Sequence, residues 1–205
     1  MLRFARRAVL IGLPLVVLLQ SSAFAATVGV SMTNYVFTPK TATVKQGNTV
    51  LWTNNSGSNH TSTSDSTSPV FWDSGTVPAG TTFQLAFALN AAGSYTYHCS
   101  IHLGLGMVGT LSVPVKASPG SGPVGTNFSI IVAKANATGT FVYDIQKMNP
   151  GGTFVDWKVG VTAKSWSFDS TGLPAGTYQF RARLRDTSTG NATGYSKGKK
   201  VTVTP

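Results

Sequence analysis

Three kinds of metal-binding side chain lie close together in the stretch Cys99-Ser-Ile-His102-Leu-Gly-Leu-Gly-Met107. The whole chain has one cysteine and three histidines, so this local concentration is informative. A thiolate with imidazoles and a weak thioether is the donor set of a copper electron-transfer site. The stretch supplies three of the four donors, and it predicts such a site provided that a second histidine lies nearby.

His60 is the candidate for the remaining donor. It follows residues 50–55, which form a predicted strand running into an Asn/Ser/Gly loop. Three ligands in one loop and a fourth from a distant strand allow a rigid scaffold to hold the geometry. Copper would keep Cys99 deprotonated, because the thiolate is the ligand. Zinc is the chemical alternative for a Cys/His2 set, although a methionine as the fourth ligand suits it poorly.

The first half of the chain has the pattern of an all-β domain. In residues 82–89, Phe83, Leu85, Phe87 and Leu89 share one face of a predicted strand. Other short alternating runs are separated by turn residues, and no convincing helical period appears. Several short strands at this spacing predict a β-sandwich. The predicted strands span residues 27–37, 49–53, 82–89, 94–99 and 109–113.

Residues 52–65, 95–102 and 107–111 together resemble the plastocyanin-like cupredoxins, and the resemblance covers residues 28–113. It implies a Greek-key β-sandwich that binds one type 1 (blue) copper ion. It also implies the ligands: His60, Cys99 and His102 would be equatorial, and Met107 would be axial. Gly104 and Gly106 permit the tight turns that bring Met107 back toward the metal.

The resemblance further implies a docking surface for redox protein partners. In the family, the ligand histidine of this loop emerges through an apolar patch. Here His102 would be the point of electron entry and exit, and Leu103 and Leu105 would surround it at the surface.

Two residues depart from the family pattern. His98 stands where plastocyanins have a tyrosine, and the alternation predicts a solvent-exposed side chain with no assigned role. Thr61 follows His60, where many members have an asparagine that bonds across to the cysteine loop. We expect Thr61 to replace part of that contact.

The N-terminal residues 1–25 have the pattern of a signal peptide. Arg3, Arg6 and Arg7 precede an apolar stretch at residues 8–19, and Ala23-Phe-Ala25 forms a cleavage motif. The alternatives are a retained membrane anchor and a twin-arginine export signal. No later segment is long and apolar enough to span a bilayer. We therefore expect an exported protein, periplasmic or extracellular and at the cell surface, which argues against nucleic acid as a partner.

Residues 116–125, rich in Pro, Gly and Ser, are predicted to be a linker between a cupredoxin domain at 26–115 and a second domain at 126–205. Alternating runs again predict an all-β unit. The segment around Tyr178 loosely resembles the tyrosine-corner strand of fibronectin type III and other immunoglobulin-like sandwiches. This resemblance implies an immunoglobulin-like fold, not an activity.

The positive charge is concentrated in the second half. From residue 116 onward the chain has eleven basic and four acidic residues, whereas residues 26–115 are balanced. Arg181, Arg183 and Arg185 alternate with predicted core residues and form a ladder on one strand face. This ladder predicts contact with an acidic surface or polymer, and simple solvation is the alternative.

Together these features predict an exported type 1 copper protein that carries single electrons and uses the second domain as a spacer or docking module. A saturated metal site leaves no open position for a substrate, so we do not expect an enzyme. The alternatives are a protein for copper sequestration or delivery, and a surface adhesion protein acting through the basic second domain.

Overall fold

The computed structural model describes residues 26–205, so the predicted signal peptide lies outside the described residues. This part of the chain is built from sixteen β-strands and one short 3-10 turn, without an α-helix. None of its helical segments could cross a membrane. The strands are β1 (Thr27–Thr33), β2 (Val36–Thr38), β3 (Thr41–Thr43), β4 (Thr49–Asn54), β5 (Thr63–Ser64), β6 (Thr82–Gln84), β7 (Gly93–His98), β8 (Val108–Val113), β9 (Lys116–Ser118), β10 (Ser121–Pro123), β11 (Asn127–Ile131), β12 (Phe141–Met148), β13 (Phe154–Val161), β14 (Ser165–Asp169), β15 (Gly176–Asp186) and β16 (Lys199–Thr204).

The first half of the described chain forms a β-sandwich of two four-stranded sheets. Its sheets have the strand orders β2-β1-β4-β6 and β3-β8-β7-β5. Residues that alternate along β4 and β7 point inward, so Trp52, Tyr95 and Tyr97 are buried between the sheets with Phe37. The aromatic cluster is compact, with the Phe37 and Tyr97 ring centroids 4.6 Å apart. The expected β-sandwich is confirmed. Strands β4 and β7 both end at the same end of the sandwich.

Residues 27–37 form a hairpin, whereas the sequence pattern predicts one strand. The chain turns at Asn34 and Tyr35, whose φ angles are 42° and 66°. Two consecutive positive φ values characterise the tight turns whose twist matches that of paired strands. Strand β2 therefore folds back antiparallel to β1, with Thr33 opposite Val36.

The predicted strand at residues 82–89 is also shorter than expected. Strand β6 ends at Gln84; the N–H of Leu85 still donates to the carbonyl of Val50 at 2.9 Å, and the next bridge pairs Leu89 with Asn48. Leu85 and Leu89 are buried as the alternation predicts, but Phe87 is 38% exposed. The interrupted pairing breaks the period of two, which turns Phe87 outward.

The second half forms another β-sandwich. Its sheets have the orders β10-β16-β15-β12-β13 and β14-β11-β9. The alternation predicted along β15 is confirmed, because Tyr178, Phe180, Ala182 and Leu184 are all buried. The hydroxyl of Tyr178 donates a 2.9 Å hydrogen bond to the carbonyl of Pro174, four residues upstream.

The predicted linker at residues 116–125 is largely strand. β9 pairs with β11, and β10 pairs in parallel with β16, so Ser121 lies opposite Thr202. The distant strand β16 gives this Gly/Pro-rich segment backbone partners that its own composition does not reveal.

The two sandwiches also share direct contacts. Ser94 and Gly194 exchange two backbone hydrogen bonds of 2.8 and 2.9 Å. The N–H of Ala92 donates to the carbonyl of Val132 at 2.7 Å. Ala91 and Ala92, which precede β7, pack into the core of the second sandwich. The junction is therefore a packed interface.

The predicted arginine ladder is engaged within the protein. Arg183 and Arg185 donate to the carboxylate of Asp144, at 3.0 and 2.8–2.9 Å. Arg181 donates to Gln146 at 2.8 Å, and its guanidinium lies 4.0 Å from the ring centroid of Phe154. The ladder lies on the face of β15 away from the core, and its side chains are only partly exposed because β12 places Asp144 directly beside Arg183.

Candidate metal centre

Three of the predicted donors, His60, Cys99 and His102, come together at one end of the first sandwich. His60 lies after β4, Cys99 directly follows β7, and Met107 directly precedes β8. The sulfur of Cys99 is 3.8 Å from Nδ1 of His60 and 3.5 Å from Nδ1 of His102. The two Nδ1 atoms are 3.1 Å apart. His60, Cys99 and His102 thus form a group that could hold a metal ion.

The spacing of these three donors fits a single ion. Metal bonds of about 2.0–2.3 Å to nitrogen and sulfur place neighbouring donors about 3–4 Å apart. His60, Cys99 and Met107 are each 0% exposed, whereas His102 is half-buried. A buried thiolate with two imidazoles is a soft donor set, which suits copper.

Backbone bonds hold the loop that carries three of the predicted donors. The N–H of Cys99 donates to the carbonyl of Met107 at 3.0 Å, and the N–H of His102 donates to the carbonyl of Cys99 at 3.1 Å. The 3-10 turn Leu103–Leu105 ends at Gly106, whose φ is 74°. Glycine adopts this left-handed conformation without a Cβ penalty, so it allows the chain to return to Met107.

Comparison with known proteins identifies the family. Residues 24–114 match the copper-binding proteins of the plastocyanin/azurin family. A plastocyanin of Scenedesmus fuscus is 32% identical in a segment covering 38% of this chain and 86% of that protein. The chain belongs to the plastocyanin/azurin family. Copper is accordingly the cofactor that the family match and the His-Cys-His group together support.

Other relatives are matched over less of their length. The chain spans 58% of the chloroplastic plastocyanin of Tetradesmus obliquus, with 37% identity over 38% of this chain. Among solved structures, a purple cupredoxin from Nitrosopumilus maritimus is 25% identical, with a TM-score of 0.36, over 42% of this chain and 97% of that one. A mutant fern plastocyanin is 23% identical, with a TM-score of 0.37, over 42% of this chain and 99% of that one.

Thr61 connects the two segments of the plastocyanin-like site. Its N–H donates to the sulfur of Cys99 at 3.3 Å, and its hydroxyl accepts from the N–H of Ser100 at 2.7 Å. The expected bond from Thr61 to the cysteine loop is therefore present. A hydrogen bond to the sulfur stabilises the thiolate, and the second bond fixes the loop that carries it.

Ser56 orients the ring of His60, a role that the sequence did not reveal. Its hydroxyl lies 2.8 Å from Nε2 of His60 and 2.8 Å from the amide oxygen of Asn54. Nδ1 consequently faces Cys99 and His102. Burial, followed by the neighbouring His102, lowers the pKa of His60 below 6.5. A lowered pKa favours the neutral imidazole, which is the form that binds a metal.

Tyr35 is a second residue that the sequence analysis missed. Its ring centroid is 4.6 Å from that of His102 and 6.3 Å from that of His60. The β1–β2 turn projects it over the site, where it remains 43% exposed. Because the pattern predicts one continuous strand there, only recognition of a turn at Asn34-Tyr35 would have revealed it.

His98 is held away from the metal donors. It precedes Cys99, and its Nδ1 lies 2.7 Å from the carboxylate of Asp65. Its side chain is only 20% exposed. The expectation of a solvent-exposed His98 is therefore wrong, because β5 pairs with this part of β7 and brings Asp65 alongside it.

Apolar side chains surround the exposed edge of His102. Leu103 and Leu105 are 51% and 65% exposed, as their position in the loop predicts. Ile101 precedes His102, Tyr35 packs against its ring, and Val36 follows Tyr35, with exposures of 51%, 43% and 51%. Together they form an apolar rim at the metal end of the molecule.

Proposed function

We propose that this protein is a single-electron carrier in which His60, Cys99, His102 and Met107 hold one type 1 copper ion. The observation that carries the proposal is the convergence of the first three donors within 4.8 Å of one another. It occurs in a chain of the plastocyanin/azurin family, which makes a copper electron carrier the function best supported. When bound, copper supplies a Cu(II)/Cu(I) couple that takes up and releases one electron.

The surrounding residues favour rapid electron exchange because they hold the donors in place. Ser56 orients His60, and Thr61 donates its N–H to Cys99. Both hydrogen bonds come from segments anchored in the sandwich, so the donors need little rearrangement when the charge changes. Met107 is the proposed fourth residue that would hold the ion, as the resemblance to the plastocyanin-like cupredoxins implies; it is fully buried, and its carbonyl accepts from the N–H of Cys99.

His102 is the proposed point of electron entry and exit. It is the half-buried member of the proposed ligand set, and Leu103 and Leu105 flank it at the surface. An apolar rim permits a redox partner to approach closely without desolvating charges. We therefore propose that protein partners dock at this end, and that the site transfers electrons without acting as an enzyme.

The second sandwich is proposed to be an immunoglobulin-like module that holds or orients the carrier. Its support is the pair of facing sheets and the Tyr178–Pro174 bond near the start of β15. We also propose that the protein is exported after removal of residues 1–25. The basic residues and cleavage motif of that segment support export.

The absorption spectrum of the chain spanning residues 26–205, loaded with Cu(II), tests this function. We expect an intense red-region band from thiolate-to-copper charge transfer, which disappears on reduction and returns on oxidation. Cys99→Ser removes the band, whereas His98→Gln, a change outside the donor set, retains it. Weak colour in the unchanged protein, or copper retained only in the reduced form, would contradict the proposal and favour copper storage or delivery.

A further inference from the structure

A lysine-lined groove crosses the junction of the two sandwiches. It consists of two adjoining hollows of about 280 and 510 Å³ that share Lys116 and Ile131. We call it the lysine groove; its cationic side chains are Lys45, Lys116, Lys134, Lys164 and Lys199. Lys199 is half-buried and the other four are exposed.

The described part of the chain does not neutralise the positive charge of the lysine groove. In residues 26–205, none of its five lysines has a carboxylate within ion-pair distance. All six acidic residues of the chain lie outside the groove. Asp144 binds arginines and Asp65 contacts His98, while Asp156 accepts from Gln146. A concave surface of one charge sign concentrates counter-charged ligands.

The floor of the groove is preorganised. The side-chain amide of Gln46 donates to the carbonyls of Pro114 and Ile131, at 3.0 and 3.1 Å. Gln46 is only 6% exposed, so these bonds are shielded from water and tie the two sandwiches together under the groove. The N–H of Lys134 donates to the carbonyl of Asn90 at 2.9 Å, which fixes one wall to the first sandwich.

The groove lies far from the proposed copper ligands. Strand β8 begins beside Met107 and ends at Val113, next to Pro114 of the groove. Six residues of extended strand span about 20 Å. A partner bound in the groove therefore leaves the apolar rim around His102 accessible.

We propose that the lysine groove binds an extended acidic segment of a partner protein. Ammonium groups line its sides, whereas Ala117 and Ile131, both half-buried, add apolar surface. An extended peptide that alternates acidic and apolar side chains matches both features, because successive side chains point in opposite directions. A phosphate polymer would satisfy only the charges. The interaction anchors the protein at one end and does not depend on copper.

Binding of a fluorescent peptide of alternating Glu and Ala tests the proposal on the copper-loaded chain spanning residues 26–205. The groove variant combines Lys116→Gln, Lys134→Gln and Lys164→Gln. Its matched control combines Lys40→Gln, Lys197→Gln and Lys200→Gln, which removes the same charge from exposed lysines outside the groove. We expect the groove variant to bind at least about tenfold more weakly, and the control variant less than about twofold more weakly.

Three results would overturn the proposal. Equal losses in both variants would mean that only net charge matters. Absence of measurable binding by the unchanged protein would remove the acidic segment as a ligand. Groove-dependent binding of inorganic polyphosphate without binding of the peptide would assign the groove to a phosphate polymer instead. The red-region band of each variant verifies that the metal end remains folded, and so separates this test from that of electron transfer.

Discussion

The N–H of Thr61 points at the sulfur of Cys99 from 3.3 Å, across a gap of 38 residues in sequence. The hydroxyl of Thr61 also accepts from the N–H of Ser100, the residue that follows Cys99. Thr61 therefore holds both the sulfur and the loop that carries it. Two hydrogen bonds thereby join the segment that carries His60 to the loop that carries Cys99.

Thr61→Val is expected to destabilise the metal-free protein by about 0.5–1.5 kcal/mol, because the N–H of Ser100 loses its hydrogen bond to the Thr61 hydroxyl. Thr61 is 6% exposed, so water does not readily replace the hydroxyl. Urea unfolding of the metal-free chain measures the loss. Thr61→Ser keeps the hydroxyl and should retain most of the stability; equal losses in both variants would disprove the role of this bond.

Tyr35→Ala is expected to accelerate copper release to a chelator by a few fold. The ring of Tyr35 packs against His102 at 4.6 Å, and an aromatic pair of this kind contributes about 0.5–1.5 kcal/mol. Without it, His102 moves more freely. Tyr35→Phe keeps the ring and serves as the control, and we expect its release rate to match that of the unchanged protein. If Tyr35→Ala released copper at the same rate as the unchanged protein, the ring would not restrain His102.

The convergence of His60, Cys99 and His102 could be predicted because cysteine and histidine are rare in this chain and two of the three residues lie within one loop. The positions of Ser56 and Tyr35 could not be predicted from the sequence. Tyr35 reaches the site through a turn with positive φ at two non-glycine residues, and residue type alone gives little indication of such a turn. Ser56 acts through a local bond to Asn54 that depends on the detailed path of the loop.

Long-range register explains the remaining differences. The sequence predicts that Arg183 faces solvent because apolar and charged residues alternate along β15, and its side chain does point away from the core. Only the pairing of β12 with β15 shows that Asp144 lies beside it. Likewise, Ser121 lies in a Gly/Pro-rich segment typical of a linker, yet Thr202 of β16 provides its strand partner. Pairings over such sequence distances are not encoded in local composition.

Asp144→Asn is expected to lower the free energy of unfolding by about 3 kcal/mol at neutral pH, because it breaks a buried charge network. The side chain of Asp144 is 1% exposed and binds Arg183 and Arg185. Urea unfolding measures the change. Asp156→Asn alters an exposed carboxylate on the neighbouring strand and should change stability by less than about 0.5 kcal/mol. Similar losses in the two variants would contradict this assignment.

The contribution of Asp144 should also depend on pH. Burial alone would raise the pKa of its carboxyl, but hydrogen bonds from Arg185, Gly160 and Arg183 outweigh burial and lower the pKa from 3.8 to about 2. A pKa lowered by folding stabilises the protein fully above the unfolded value. We therefore expect the stability difference between the unchanged protein and Asp144→Asn to shrink as the pH falls from about 4 toward 2. A difference that stays constant over that range would exclude ionisation of Asp144 as its source.

Gln46→Ala is expected to uncouple the two sandwiches. The substitution leaves the carbonyls of Pro114 and Ile131 without their shared donor at a shielded position, which costs about 1–3 kcal/mol. Calorimetry of the unchanged metal-free chain should show one unfolding transition, because the junction is hydrogen-bonded and packed. In Gln46→Ala we expect this single transition to split into two, and the earlier of the two should lie at a lower temperature than the transition of the unchanged protein. Gln84→Ala removes an exposed glutamine of β6 and should keep the single transition. A single, unshifted transition in Gln46→Ala would show that the Ser94–Gly194 and Ala92–Val132 backbone bonds suffice to couple the two units.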